Sequence, residues 1–237
     1  MREGPIEYTH GGVRLEGLLV ADDERAGPLP GVLVAHAWGG RGELEAEAAR
    51  RLAGQGYAGF ALDLFGKGVR GRSREENAAL IAPFLDDRPL LAARMLAAVG
   101  TLRNQPGVDA GRIAAIGYCF GGLCVLDLAR SGADVRGVVS LHGLFGPPEP
   151  LPGKPITASV LALHGHDDPM VPVEAVEALE RELTAARADW QIHVYGGCMH
   201  AFTNPRANDP GFGTVYDATG DRRSWAATTA FLAEVLA

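Results

Sequence analysis

Cysteine is scarce in this chain. Among 237 residues there are three, an odd number that cannot make a framework of paired disulfides. A reducing compartment leaves them as thiols, and no C-x-x-C pair is present to read as a redox motif. Basic excess is missing too: 22 Lys and Arg stand against 29 Asp and Glu, for a formal net charge of −7. Both signs are mixed along the chain, which argues against nucleic acid as a partner, because phosphate binding needs a concentrated basic surface. No apolar run approaches the roughly 18 residues of a membrane span. The opening MREGPIEYTHGG lacks the apolar segment of a signal peptide, so a cytoplasmic location with no membrane partner is expected. Internal repeats and low-complexity tracts are absent as well.

What remains is ordinary globular material, 47% hydrophobic and 22% charged, enough for one sizeable core. IEYTHGGVRLEGLLVAD reads as a hairpin turning at Gly11-Gly12. GVLVAH and YAGFALDLF are short apolar runs suited to strands buried on both faces, separated by helical spacing over residues 43–54. Helices are expected around Glu75–Leu85 and Pro89–Arg103. RIAAIGY then reads as a strand, GLCVLDLARSG as a helix, VRGVVSLHG and SVLALHG as strands, EAVEALERELTAAR as a helix, WQIHVYGG as a strand and SWAATTAFLAEVL as a closing helix. Such alternation predicts an α/β domain with a mainly parallel sheet covered by helices on both faces, and antiparallel strands at its start. The only break, Pro147–Pro155, is too short to be a linker, so residues 1–237 are expected to form a single domain.

Chemistry concentrates where strands end. Cys119 lies between Gly117 and Gly121 in IGYCFGG, the place of the nucleophile in a G-x-S-x-G elbow. Either it is a nucleophile on a sharp strand-to-helix turn, or a buried small hydrophobe beside ordinary turn glycines. Metal binding is the weaker alternative, since Cys119 and Cys124 are five apart and diverge on a helix. Chain order favours the nucleophile. SVLALHG is followed by His166-Asp167-Asp168, and WQIHVYGG by Cys198-Met199-His200, so nucleophile, acid and base come in that order, each after a later strand. Asp168 fits the acid's spacing better than Asp167. Of the other histidines, His142 and His164 stand at strand ends near this site; Cys124 and Cys198 read as packing residues, with Cys198 close enough to His200 to touch the pocket.

Together GVLVAHAWGG, YAGFALDLFGKG, RIAAIGYCFGG, LALHGHDDPMVP and VYGGCMHAFTNP resemble the dienelactone hydrolase family, and the likeness spans most of the chain. It implies an α/β-hydrolase fold without a large cap, no cofactor or metal, and hydrolysis of small carboxylic esters or lactones. Under the resemblance Cys119 is the nucleophile, Asp168 the orienting acid and His200 the base, while the Trp38 and Phe120 amides form the oxyanion hole. Two departures stand out. Ala37 occupies the place of a family glutamate that helps hold the cysteine's proton, leaving Cys119 to pair with His200. The family's substrate-binding arginine after the histidine is also absent, with Arg206 two residues beyond its place. The expected substrate contacts are His36, Ala37, Phe65, Arg70, Phe202 and Arg206. Lys67, Arg70, Arg72 and Arg74 either favour an acidic substrate or form a solvated loop. The rival function keeps the fold and loses the chemistry: a small-molecule binding protein with a vestigial triad.

Overall fold

The computed structural model describes residues 1–237. Its main sheet has eight strands: β1 (Arg2–His10), β2 (Val13–Ala21), β3 (Leu29–Ala35), β4 (Ala58–Ala61), β5 (Val108–Tyr118), β6 (Gly137–Leu141), β7 (Ser159–Gly165) and β8 (Trp190–Tyr195). The spatial order is β1–β2–β4–β3–β5–β6–β7–β8. β1 pairs antiparallel with β2, and β2 antiparallel with β4. All later pairings are parallel. The mainly parallel sheet with its antiparallel opening is what the alternating pattern implies, and the strand order fits the α/β-hydrolase fold implied by the resemblance.

Helices α1 (Glu43–Gly54), α2 (Arg74–Asp86), α3 (Arg88–Arg103), α4 (Phe120–Arg130), α5 (Val173–Ala185) and α6 (Ala218–Val235) cover the sheet. The central strands feed two cores by strict alternation. Leu33 and Ala35 of β3 join a cluster of 35 buried residues that includes Leu91, Met95, Leu123 and Leu179 from α3, α4 and α5. Val32 and Val34 point the other way, into 18 buried residues that include Ala49 and Leu52 of α1 and Leu232 of α6. A strand buried on both faces must be apolar throughout, which is why residues 31–35 of β3 and 113–118 of β5 include no charged side chain.

The structure departs from expectation in several places, one being that β5 starts at Val108, four residues before RIAAIGY. β4 stops at Ala61, four residues before the end of YAGFALDLF. Beyond it, the Asp63 carboxylate accepts hydrogen bonds from the Phe65 and Gly66 amides (2.9 and 3.1 Å), turning the chain out of the sheet. α6 begins six residues before Ser224, because Asp217 caps it through a 2.6 Å hydrogen bond from the Gly220 amide. Between β8 and α6 lies an unforeseen two-stranded ribbon, β9 (Asn208–Asp209) with β10 (Thr214–Val215). No helix is long and apolar enough to cross a membrane.

Candidate active site

β5 drives straight into α4 through one residue, Cys119, whose φ of 55° and ψ of −115° lie where L-residues are rarely found. Strain of this kind costs about 1–3 kcal/mol and persists only when the surroundings enforce it. The surroundings here are backbone. A Cβ on Gly117 would stand 2.0 Å from the Gly121 carbonyl oxygen, and one on Gly121 would stand 2.2 Å from that of Ala35. Both glycines are therefore required by close approach. The turn leaves Cys119 half-buried, its amide tied to the Leu141 carbonyl at 3.0 Å, while Cys124 and Cys198 are buried.

Asp168 follows β7 and is 3% exposed. One carboxylate oxygen accepts the Met170 amide at 2.8 Å, and the other lies 2.7 Å from Nδ1 of His200. Asp167 is exposed and carries no part of this contact. His200 follows β8 and is held at both backbone ends by the ribbon, donating to the Gly213 carbonyl (2.9 Å) and accepting from the Val215 amide (3.2 Å). With Nδ1 committed to Asp168, Nε2 is buried and makes no hydrogen bond of ordinary geometry. The Cys119 side chain is its neighbour. Burial is the strongest single influence on the imidazole and disfavours its charge. The Cys119 sulfur and the Asp168 carboxylate together overcome it and push the pKa of His200 up to about 10.

The loop after β3 supplies the opposite wall. His36 is wholly buried, with Nε2 accepting from the Leu64 amide (3.2 Å), so Nδ1 carries the proton and donates to the Ala37 carbonyl (2.7 Å). Burial lowers its pKa, keeping the ring neutral. From beneath, the buried carboxylate of Glu45 on α1 accepts from the Ala37 amide (3.3 Å) and the Gly42 amide (2.7 Å). These bonds hold the loop that carries Trp38. The Trp38 amide donates to no other backbone group. Phe120 heads α4, and its amide donates to no other backbone group.

Cys119, Phe120, His200, Ala37 and Trp38 open onto one cleft of about 340 Å³. Its remaining walls are mostly apolar, among them Ile81, Leu144, Met170 and Phe212. Trp38 and Phe212 stack with ring centroids 5.8 Å apart, and the Arg74 guanidinium lies 4.2 Å from the Phe212 centroid. Arg74 also binds the Asp209 carboxylate, so the cleft's one arginine is already paired.

Several expected substrate contacts fall elsewhere. His36 lies behind the loop, and Phe65 packs on it with ring centroids 4.6 Å apart. Phe202 is fully buried between His142 and Tyr195. Arg70 lines a separate polar surface hollow with Glu16 and Arg41. Arg206 is exposed and outside the cleft. Of the basic loop, Lys67 is bound by Glu7 and Glu16 on the far side. Only Ala37 and Arg74 of these groups reach the cavity. Cys198 faces Gly220 rather than the cleft, and burial raises its pKa to about 11. Phe212 and Ile81 carried no local motif, and only their convergence reveals them. No group of three or more His, Cys, Asp or Glu side chains is arranged to hold a metal ion.

A strained residue at a strand-to-helix turn, with an Asp–His pair delivered by the loops after β7 and β8, is the arrangement of an α/β hydrolase. The sequence profile of the dienelactone hydrolase family matches residues 15–236. The chain belongs to that family, whose members are ester and lactone hydrolases. A solved structure named m3DLH is 39% identical with a TM-score of 0.95, covering 100% of this chain and 99% of that one. A dienelactone hydrolase-like promiscuous phosphotriesterase from metagenomic libraries is 36% identical, also with a TM-score of 0.95 and the same coverage. A Yersinia pestis protein provisionally named carboxymethylenebutenolidase is 30% identical over 202 residues, 81% of this chain and 75% of that protein.

Proposed function

We propose that this protein hydrolyses small, uncharged carboxylic esters or lactones through a Cys119 acyl-enzyme, acting as a single 1–237 domain without a large cap in the cytoplasm. The observation that carries the reading is the buried His200, bound to Asp168 at 2.7 Å, with its free Nε2 beside the sulfur. His200 holds the cysteine's proton as an imidazolium, which Asp168 stabilises. The thiolate sulfur bonds to the carbonyl carbon, and the displaced electron pair moves to oxygen. The Trp38 and Phe120 amides receive that oxyanion. Collapse then expels the alkoxide, which takes the proton from His200. In the second half, water gives a proton to His200 as its oxygen bonds to the acyl carbon, and the carbon–sulfur electrons return to Cys119.

The preference for uncharged substrates rests on the cleft. Its walls are mainly apolar, and Arg74, the cation at its edge, is engaged by Asp209 and Phe212. An acidic lactone has no free cation to meet. Uncharged phosphotriesters, the class named for one relative, suit the same cleft and are the second class to assay. The test compares hydrolysis of p-nitrophenyl acetate and butyrate by the natural protein and by Cys119→Ala. Loss of activity in the variant supports the reading, whereas equal rates in both proteins would reject it and favour a binding protein with a vestigial triad.

A further inference from the structure

His142 lines the cleft but has no part in the cycle above. It sits just past β6, only 1% exposed, with a φ of 38° that non-glycine residues seldom adopt. Its amide donates to the Leu163 carbonyl at 2.8 Å, which fixes the residue at the sheet's edge. Nε2 lies 2.8 Å from the Thr203 hydroxyl, whereas Nδ1, equally buried, has no hydrogen-bond partner. The ring meets that of His200 edge-on, with centroids 5.3 Å apart, and Phe202 backs it at 5.3 Å. A buried nitrogen left unpaired on a strained backbone is costly twice over, and such features gather at functional sites.

Building on the acyl-enzyme reading, we propose that His142 Nδ1 holds the water that hydrolyses that intermediate, jointly with His200 Nε2. His142 Nδ1 has no partner and His200 Nε2 has none but the neighbouring Cys119 sulfur, which the acyl group occupies in the intermediate; the two residues share one cleft and their rings meet edge to face. Two hydrogen bonds of ordinary length through one oxygen span about 5 Å, the scale of the ring separation. One water proton passes to His200 Nε2 while the oxygen bonds to the acyl carbon and the sulfur leaves with its electron pair. The water's remaining hydrogen-bonding capacity is taken by His142. Burial, then the neighbouring His200, hold the pKa of His142 well below its ordinary value, so the ring is neutral. A neutral ring with Nε2 committed to Thr203 has one bond to spare at Nδ1 in either tautomer, and does not repel a charged His200. Acylation uses no water, so His142 acts on the second half-reaction alone.

The experiment is rapid mixing with p-nitrophenyl butyrate, following nitrophenolate release and the butyryl adduct on intact protein by mass spectrometry. His142→Phe is expected to keep the acylation rate and slow deacylation about 10- to 100-fold, the loss of one hydrogen bond to a reacting group, so that adduct accumulates. His142→Asn, whose amide returns a polar atom near Nδ1 and tolerates positive φ, should recover most of the rate. Thr203→Val, which frees the ring to turn, should slow deacylation selectively as well and gives a second reading if the phenylalanine variant misfolds. Unchanged deacylation in a folded His142→Phe or Thr203→Val protein overturns the proposal, as does an equal fall in both half-reactions. Failure of the acyl-enzyme reading looks different: no adduct forms in any protein, and Cys119→Ala remains active.

Discussion

Replacing Asp168 by asparagine changes one oxygen to an amide group at the deepest point of the site, with hardly any change in volume. The Met170 amide donates to one Asp168 oxygen (2.8 Å), and the side chain that satisfies it must keep an acceptor there. The new NH₂ then points at His200 Nδ1, 2.7 Å from the other oxygen's place. Two donors cannot share that line, so the ring must carry its proton on Nε2, the wrong nitrogen for taking one from Cys119. The missing negative charge also stops stabilising the imidazolium. At a separation near 4 Å and an effective dielectric of 20, that attraction is about 4 kcal/mol, and a charged hydrogen bond alone is about 1.5–3 kcal/mol. A loss of about 3 kcal/mol corresponds to a fall of roughly 100-fold in kcat/KM. Hydrolysis of p-nitrophenyl acetate measures it. The titration of stability gives an independent reading. His200 is raised from 6.5 to about 10 in the folded protein, so its imidazolium stabilises the fold fully below pH 6.5 and loses that contribution as pH climbs through about 10. Thermal unfolding of the natural protein should show this decline, and Asp168→Asn should make it shallower while the share due to Cys119 remains. Full activity together with an unchanged decline would refute the assigned role of Asp168.

Three further outcomes follow from the geometry. Asp209→Asn keeps an acceptor for the Phe212 amide (3.0 Å) but releases Arg74, so the ratio of kcat/KM for mono-p-nitrophenyl succinate over p-nitrophenyl acetate should rise about 2- to 5-fold, the strength of an exposed ion pair. A constant ratio would mean that Arg74 does not govern substrate charge. Gly121→Ala forces a methyl to within 2.2 Å of the Ala35 carbonyl oxygen and 2.8 Å of that of His36; urea unfolding should reveal a loss of about 1–3 kcal/mol or more, with activity falling as the elbow shifts. Arg187 closes α5 with a φ of 53°, exposed and unpaired, and Arg187→Gly should stabilise the protein by about 1 kcal/mol, without effect on kcat.

Most of the framework is legible in the sequence because it depends on local signals. The helix over 43–54 and the strand over 159–165 have the bounds their patterns indicate, and the order Cys119, Asp168, His200 places each after a strand. Misreadings arise where burial depends on the return path of a loop. Phe65 and Phe202 lie beside strand ends, as a cleft wall should, yet each turns inward and joins the core. Nothing in a single stretch of sequence distinguishes an aromatic facing the cavity from one facing the sheet. Arg74, Trp38 and Phe212 show the converse. They come from the start of α2, the loop after β3 and the ribbon before α6, and only tertiary folding stacks them into one wall. The early start of α6 did leave a local trace, Asp217 three residues before Gly220, but the polar segment DATGDRR hides it from a reading based on apolar spacing.

Ala37, where the resemblance leads one to expect a glutamate, takes on a definite meaning once the loop is seen from below. A carboxylate beside the cysteine does two things: it offers a charge to the thiol and hydrogen bonds to the loop. Here the second task belongs to Glu45, which reaches the Ala37 and Gly42 amides from a buried position on α1. The backbone that presents the Trp38 amide is thereby kept while the cleft wall becomes a methyl group. His36, neutral and saturated by the Leu64 amide and the Ala37 carbonyl, adds no proton acceptor. In the proposed cycle this leaves His200 as the only base available to Cys119, with one carboxylate, Asp168, to balance its charge. A site built in this way has no resting partner that must move aside when substrate arrives. Its activity should depend on the Asp168–His200 pair more steeply than on any residue of the 36–42 loop, and Glu45→Gln, which can keep one of the two loop bonds, should weaken oxyanion binding less than Asp168→Asn weakens proton transfer.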